Sequence, residues 1–278
     1  MKQTKLLLTG CVVAAMSMWW VPGPAPAKEG RDADRVMAKL VGAEDDPNEK
    51  RSKAVQAGIL DGHPYLRNEQ VICLWSKPQQ GAGVVRMRDL KSKNALLEIK
   101  ASKATAWRLG LKTADGAAAS RDSSDMPCTV VFDAQAGEGR LSFTWSEHDV
   151  QVIVKTRLLS AESHVRSRIS IHTGQEGPGL KTVTFPIVEG IAPFTAGAKD
   201  DQILDTNAVG DLKPSPLVSG EALSYEYPLA SMQFTALLGD GRGLYCAEED
   251  GEANRKFFKW TPDAAGQTLT FVRGFMNQ

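Results

Sequence analysis

The chain has 278 residues, 42% of them hydrophobic, and 33 lysines and arginines stand against 33 aspartates and glutamates. The basic residues are scattered in sequence, with no sign of the clustered basic surface that a nucleic-acid or anionic-membrane partner would need.

The N-terminus reads as a cleavable leader. Lys2 and Lys5 precede an apolar run, Leu6 to Val21, and then Pro22-Gly23-Pro24-Ala25-Pro26-Ala27. A basic region, an apolar region and an A-x-A site form the secretory pattern, with cleavage expected after Ala27. The run is shorter than the roughly 20 residues of a spanning helix, which argues against a retained anchor. Leu8-Thr9-Gly10-Cys11 resembles a lipobox, but the apolar stretch lies mainly on the wrong side of Cys11. The expectation is an exported protein, periplasmic or extracellular, with no membrane contact once residues 1–27 are removed.

Residues 28–68 are charged and hold few aromatics, and they read as a partly helical N-terminal appendage. Asp46-Pro47-Asn48-Glu49 predicts an N-cap and a short helix to Leu60, stopped by Asp61-Gly62.

From Gln70 the hydrophobic period becomes two. Val150, Val152, Val154 and Leu158 alternate with Lys155 and Arg157; after the short Ser160–Ser163 connection, Val165, Ile169 and Ile171 alternate with Arg166 and Arg168. This predicts a hairpin with one buried face. Leu141, Phe143 and Trp145 mark another strand. Further strands are predicted over 70–76, 83–88, 95–100, 104–112, 127–133, 181–188, 222–227, 231–238, 242–247, 256–261 and 268–274. The stretch 190–220 reads as a long ordered loop with little sheet. Many short strands with one wet face predict a mostly β chain, an antiparallel β-sandwich over residues 69–278.

Motifs for chemistry are scarce. The chain holds no nucleophile elbow, no zinc-protease helix, no phosphate loop and no calcium loop. His63, His148, His164 and His172 show no metal-like spacing. Glu147-His148-Asp149 reads as a polar turn rather than an acid–base cluster. Asp200, Asp201, Asp205, Glu248, Glu249 and Asp250 are candidates for paired carboxylates, though Glu248-Glu249-Asp250 has the look of a solvated turn. Cys73, Cys128 and Cys246 sit in apolar contexts and read as buried thiols, with a disulfide as the alternative. Among the tryptophans, Trp75, Trp107 and Trp145 lie in apolar strands. Trp260, beside Lys259 and Pro262, is the candidate for an exposed ring that stacks on a sugar.

The C-terminal third carries a resemblance. Tyr227-Pro228, Ser231-Met232-Gln233-Phe234, Gly241-Arg242-Gly243-Leu244-Tyr245, Glu249-Asp250 and Lys256-Phe257 resemble a run near the end of the N-terminal β-supersandwich domain of secreted, glycoside-hydrolase-related bacterial proteins. That domain is similar to the galactose-mutarotase fold and to the sandwich of endo-α-N-acetylgalactosaminidases. Val183–Gly190 and Trp107-Arg108-Leu109 extend the resemblance over roughly residues 70–278. It departs where the family has His before Asp and this chain has Glu249 before Asp250. The family's catalytic barrel would follow the sandwich, and this sequence stops at Gln278, so the resemblance carries no catalytic acid onto any residue here.

The expected function is a non-catalytic, carbohydrate-related accessory domain, with a missing catalytic barrel as a partner. The alternatives are a structural or adhesive extracellular module, or a stand-alone sugar epimerase or hydrolase using His148 or His172. Trp260 and Asp250 are the candidate ligand-binding residues. No catalytic residue, metal or cofactor is assigned.

Overall fold

The protein is seen in a computed structural model that describes residues 6–16, 31–42, 54–90, 95–98, 104–113, 115–174, 177–207, 210–227, 232–249, 255–263, 265 and 267–276. Strand β1 (Leu6–Met16) and helix α1 (Arg31–Gly42) come first. A meander follows: β2 (Gln56–Leu60), β3 (His63–Arg67), β4 (Val71–Trp75), β5 (Val84–Asp89) and β6 (Ala95–Glu98). After the hairpin β7 (Arg108–Lys112) and β8 (Ala118–Asp122) comes a second meander, β9 (Cys128–Gln135), β10 (Glu138–Glu147), β11 (Val150–Leu159) and β12 (His164–Thr173). The long β13 (Gly179–Ile191) leads to the hairpin β14 (Gln202–Asp205) and β15 (Asp211–Pro214), then to the single turn α2 (Pro216–Ser219). The last strands are β16 (Leu223–Tyr227), β17 (Phe234–Gly239), β18 (Arg242–Glu248), β19 (Lys256–Pro262) and β20 (Leu269–Met276).

The chain is mostly β, with 62% strand and 10% helix, but the predicted sandwich is corrected: small sheets are arranged as a four-bladed propeller. The ladders group β2–β6, then β9–β12, then β15-β14-β17-β18, then β16-β19-β20-β13-β7-β8. β1 lies between β12 and β18, antiparallel to both, and joins their two groups into one ladder. Period-two alternation records one buried and one wet face per strand. A sandwich and a propeller blade satisfy it equally, because the arrangement of sheets is set by long-range packing.

The apolar run expected to be a leader holds β1 over Leu6–Met16, where Cys11–Ala14 pair on both sides. The expected cleavage point at Ala27 lies outside the described residues.

The N-terminal appendage also needs correction. The helix is Arg31–Gly42, and Gln56–Leu60, expected as helix, is strand; residues 43–53 lie outside the described set. Asp61 and Gly62 both have positive φ, 50° and 84°, and they close a two-residue turn between β2 and β3. An Asp-Gly pair favours this hairpin turn because both positions need left-handed backbone. The predicted boundary at residue 68 therefore cuts through one sheet, since β3 pairs with β4. Nor does α1 hang loose. Ala33, Val36, Met37 and Leu40, on one helical face, are buried against Ile72, Leu74, Val85 and Ala104. This cover is why every residue of β4 is buried.

The main core agrees with the strand reading. Val150, Val152, Val154, Leu158, Val165, Ile169 and Ile171 are buried, while Lys155 and Arg157 are exposed. Trp107 meets Trp145 edge-on at 5.5 Å, and Phe143 stacks on Trp145 at 5.9 Å. Asn68 fastens two blades together. Its Nδ2 donates to the carbonyls of Leu159 (2.7 Å) and Glu162 (2.6 Å), and its Oδ1 accepts from the amides of Gln70 and Val71. The stretch 190–220, expected as a long loop with little sheet, instead holds the end of β13, a 3-10 turn at Ala196–Ala198, β14, β15 and α2, with β14 paired between β15 and β17.

Candidate functional site

The residues that carry the family-like motifs converge in space. Lys256 Nζ donates to Gln233 Oε1 at 2.7 Å and lies 5.1 Å from the Tyr227 ring and 5.8 Å from that of Phe275. The Arg273 guanidinium sits 4.2 Å above the Phe275 ring and is ion-paired with Glu248. The Glu248 amide donates to the Gln233 carbonyl at 2.8 Å, and Phe234 packs on Tyr245 at 5.1 Å. Glu248, Lys256 and Arg273 are all buried. Glu248 was expected in a solvated turn. It belongs instead to the inner face of β18, in phase with the buried Leu244 and Cys246. A carboxylate out of water needs a compensating cation or hydrogen bonds, and for Glu248 the guanidinium on β20 supplies the cation.

The sugar-stacking role predicted for Trp260 is corrected as well. Trp260 is 0% exposed, packs 4.8 Å from Phe271 and donates through Nε1 to Thr235 Oγ1. It shares the inner face of β19 with Lys256 and Phe258. Lys259, on the other face, and Pro262, in the loosely buried last turn of the strand, made the site look wet in sequence. Asp250 lies outside the described residues.

The other candidates are dispersed. Asp201 is buried and accepts from the amides of Phe194 and Thr195 and from Thr195 Oγ1, pinning the loop after β13. Burial raises its pKa, and these hydrogen bonds with Arg242 oppose the rise. Asp205 accepts from the Asn207 amide. His148 has φ 50° in the β10–β11 turn, which agrees with the polar-turn reading. His63 is buried, with Nδ1 donating to the Trp75 carbonyl at 2.8 Å. Among the described residues no group of three or more His, Cys, Asp or Glu is placed to hold a metal.

No disulfide links Cys73, Cys128 and Cys246. Cys73 and Cys246 are buried and Cys128 is partly so. Burial pushes the Cys128 thiol up to about 12 and the Cys73 thiol further upward. Cys73 and Cys246 also line an apolar cavity of about 50 Å³, with Phe143, Val165, Phe185 and Leu244.

The outer face of the β9–β12 sheet is the polar surface that the sequence reading missed. In the ladder, Arg140 stands opposite Arg157, which stands opposite Arg166; one step along, Ser142 faces Lys155, which faces Arg168. Thr144, Ile153 and Ser170 form the next row, and Ser146, Gln151 and His172 the one after. Glu138 pairs with Arg140 at 2.6 Å and reaches Arg157 at 3.9 Å, while Glu162 pairs with Arg166 at 3.0 Å. Arg140 and Arg157 remain about half exposed, at 54% and 49%. The residues were legible as outward positions. What hid the cluster was their separation in sequence, since the side-by-side rows exist only once the register is known.

Compared with protein-family models and with curated proteins, the chain matches none.

Proposed function

We propose that this chain is a non-catalytic, carbohydrate-related accessory module of an exported protein, working beside a separate catalytic domain. One observation supports the reading above the others. Glu248, Lys256 and Arg273, beside the motif residues Tyr227 and Gln233, turn inward, whereas the β9–β12 sheet turns outward a face made mainly of hydroxyls, an imidazole, an amide and cations. Such a face, held on rigid strands, suits the repeated hydroxyls of an extended glycan, which bind through many hydrogen bonds at a solvated surface. The motifs themselves resemble those of a sandwich that accompanies a glycosidase barrel, which supports the carbohydrate class.

The test is a glycan array with the folded chain, run beside a screen of aryl glycosides. Glycan retention that weakens on replacing outer-face residues of β10–β12, with no turnover, is the expected result. Turnover abolished by replacing one carboxylate, with the fold intact, would overturn the accessory reading in favour of a stand-alone enzyme.

A further inference from the structure

We infer that the outer face of the β9–β12 sheet binds acidic glycans, whose carboxylate or sulfate groups are received by Lys155 and Arg168. The inference rests on the carbohydrate-module reading and names its ligand class.

The argument begins with an electrostatic cost. Lys155 and Arg168 are directly opposite across the β11–β12 ladder, and so are Arg157 and Arg166. Like charges in that position repel and destabilise the sheet. The Arg157–Arg166 row has local relief, since Glu138 lies 3.9 Å from Arg157 and Glu162 lies 3.0 Å from Arg166. The Lys155–Arg168 row has no acidic partner among the described residues. Arg168 Nε is buried and without a hydrogen-bond partner, while Lys155 is exposed. Two cations held side by side on rigid strands, neither met by a carboxylate among the described residues, form a preorganised seat for an anion.

The neighbours narrow the class of anion. Ser142 lies beside Lys155, and Ser170 lies one step along β12 from Arg168. These hydroxyls would serve the sugar hydroxyls flanking an acid group. The face carries no aromatic residue over the rows Arg140–Ser146, Gln151–Arg157 and Arg166–His172. Single-stranded nucleic acid is bound by stacking bases on aromatic platforms, and this face offers none. A membrane surface would call for large apolar side chains inserted beside the cations, and the outer rows of this sheet carry only the β-branched Ile153 and Val131 among polar residues.

The experiment measures binding of the folded chain to polygalacturonate, dextran sulfate and neutral dextran, with a single-stranded oligonucleotide as a further arm. The expected result is retention on one or both acidic polymers, weakened by salt, with at least a tenfold affinity loss in Lys155→Gln/Arg168→Gln. Counterion release on binding should fall by about two in that variant. Preference between the two acidic polymers tells carboxylate from sulfate. Melting temperature and circular dichroism of the double variant should match the parent, because the change removes a repulsion on a wet face. Equal binding to neutral dextran, or binding to the oligonucleotide as tight as to the acidic polymers, would overturn the inference while leaving a binding module in place. Binding to none of the polymers, with an empty glycan array, would overturn both this inference and the carbohydrate reading.

Discussion

Two strand groups of this protein use charge in opposite ways. On β10–β12, Arg140, Lys155, Arg157, Arg166 and Arg168 occupy outward positions of strands whose inward positions are aliphatic or aromatic apart from Gly139 and the hydrogen-bonded Thr156–Ser167 pair. On β18–β20, Glu248, Lys256 and Arg273 occupy inward positions and are buried with Trp260, Phe258 and Phe271. The same residue types thus stand at the surface in one group and in the interior in the other. A charged residue in an alternating strand says little until its phase is known; that phase separates an outward charge from a core tie.

The sharpest way to break this comparison is to remove one inner charge. Glu248→Ala leaves the Arg273 guanidinium buried without its carboxylate, and breaking a buried pair in this way costs about 3–5 kcal/mol. Urea denaturation should show that loss. Arg157→Gln, on the outer face, should leave the midpoint nearly unchanged, as solvated pairs contribute little. Similar losses in both variants would erase the distinction.

A smaller effect is expected at Asn68, which joins the β3–β4 turn to the β11–β12 connection. Asn68→Ala removes these four hydrogen bonds, at about 1–3 kcal/mol by the usual penalty for groups left short of a partner. Asn68→Asp should be worse, because it turns a carboxylate toward two carbonyl oxygens. Denaturation midpoints of the two variants check the order.

A third effect concerns pH. Burial holds the His63 imidazole below its ordinary range, against the pull of the Trp75 carbonyl. The unfolded chain therefore takes up this proton more readily than the folded one. The His63 contribution is complete above the unfolded value of about 6.5 and is lost as pH falls through that value toward the depressed folded one. Stability measured from about pH 7.5 down to about pH 5 should decline, and His63→Phe should flatten that decline. An unchanged slope in the variant would assign the decline to other groups.

The smallest effect expected is local. A chain that begins at Lys28 lacks β1, which pairs with both β12 and β18. Hydrogen exchange should quicken at amides of β12 and β18 while those of β10 and β11 keep their protection. Unchanged protection on β12 and β18 would mean that these strands pair without β1.

Much of the strand content was legible because it is local. The β10–β12 alternation gave both faces correctly, from Val150 to Ile171, since each residue's phase is visible in its neighbours. The propeller was not legible, because blade order depends on contacts between distant strands such as β13 with β7 and β20. Asp61-Gly62 was misread as a helix stop, although the Asp-Gly pair between short apolar stretches is a hairpin signal. Trp260 was placed outside on the evidence of its neighbours Lys259 and Pro262, when its phase with Phe258 carried the answer. The cation rows escaped notice because residues 140, 155 and 168 become neighbours only through register.

The most direct test of the division between binding face and core tie measures two properties in the same pair of variants: affinity for polygalacturonate or dextran sulfate, and melting temperature. Lys155→Gln/Arg168→Gln should lose affinity at least tenfold, about 1.4 kcal/mol, with its melting temperature preserved. Glu248→Gln should melt at a lower temperature, and its folded fraction should bind the acidic polymer as the parent does. Full affinity in the double variant, or loss of affinity in folded Glu248→Gln, would contradict the account and move the binding site to the buried cluster.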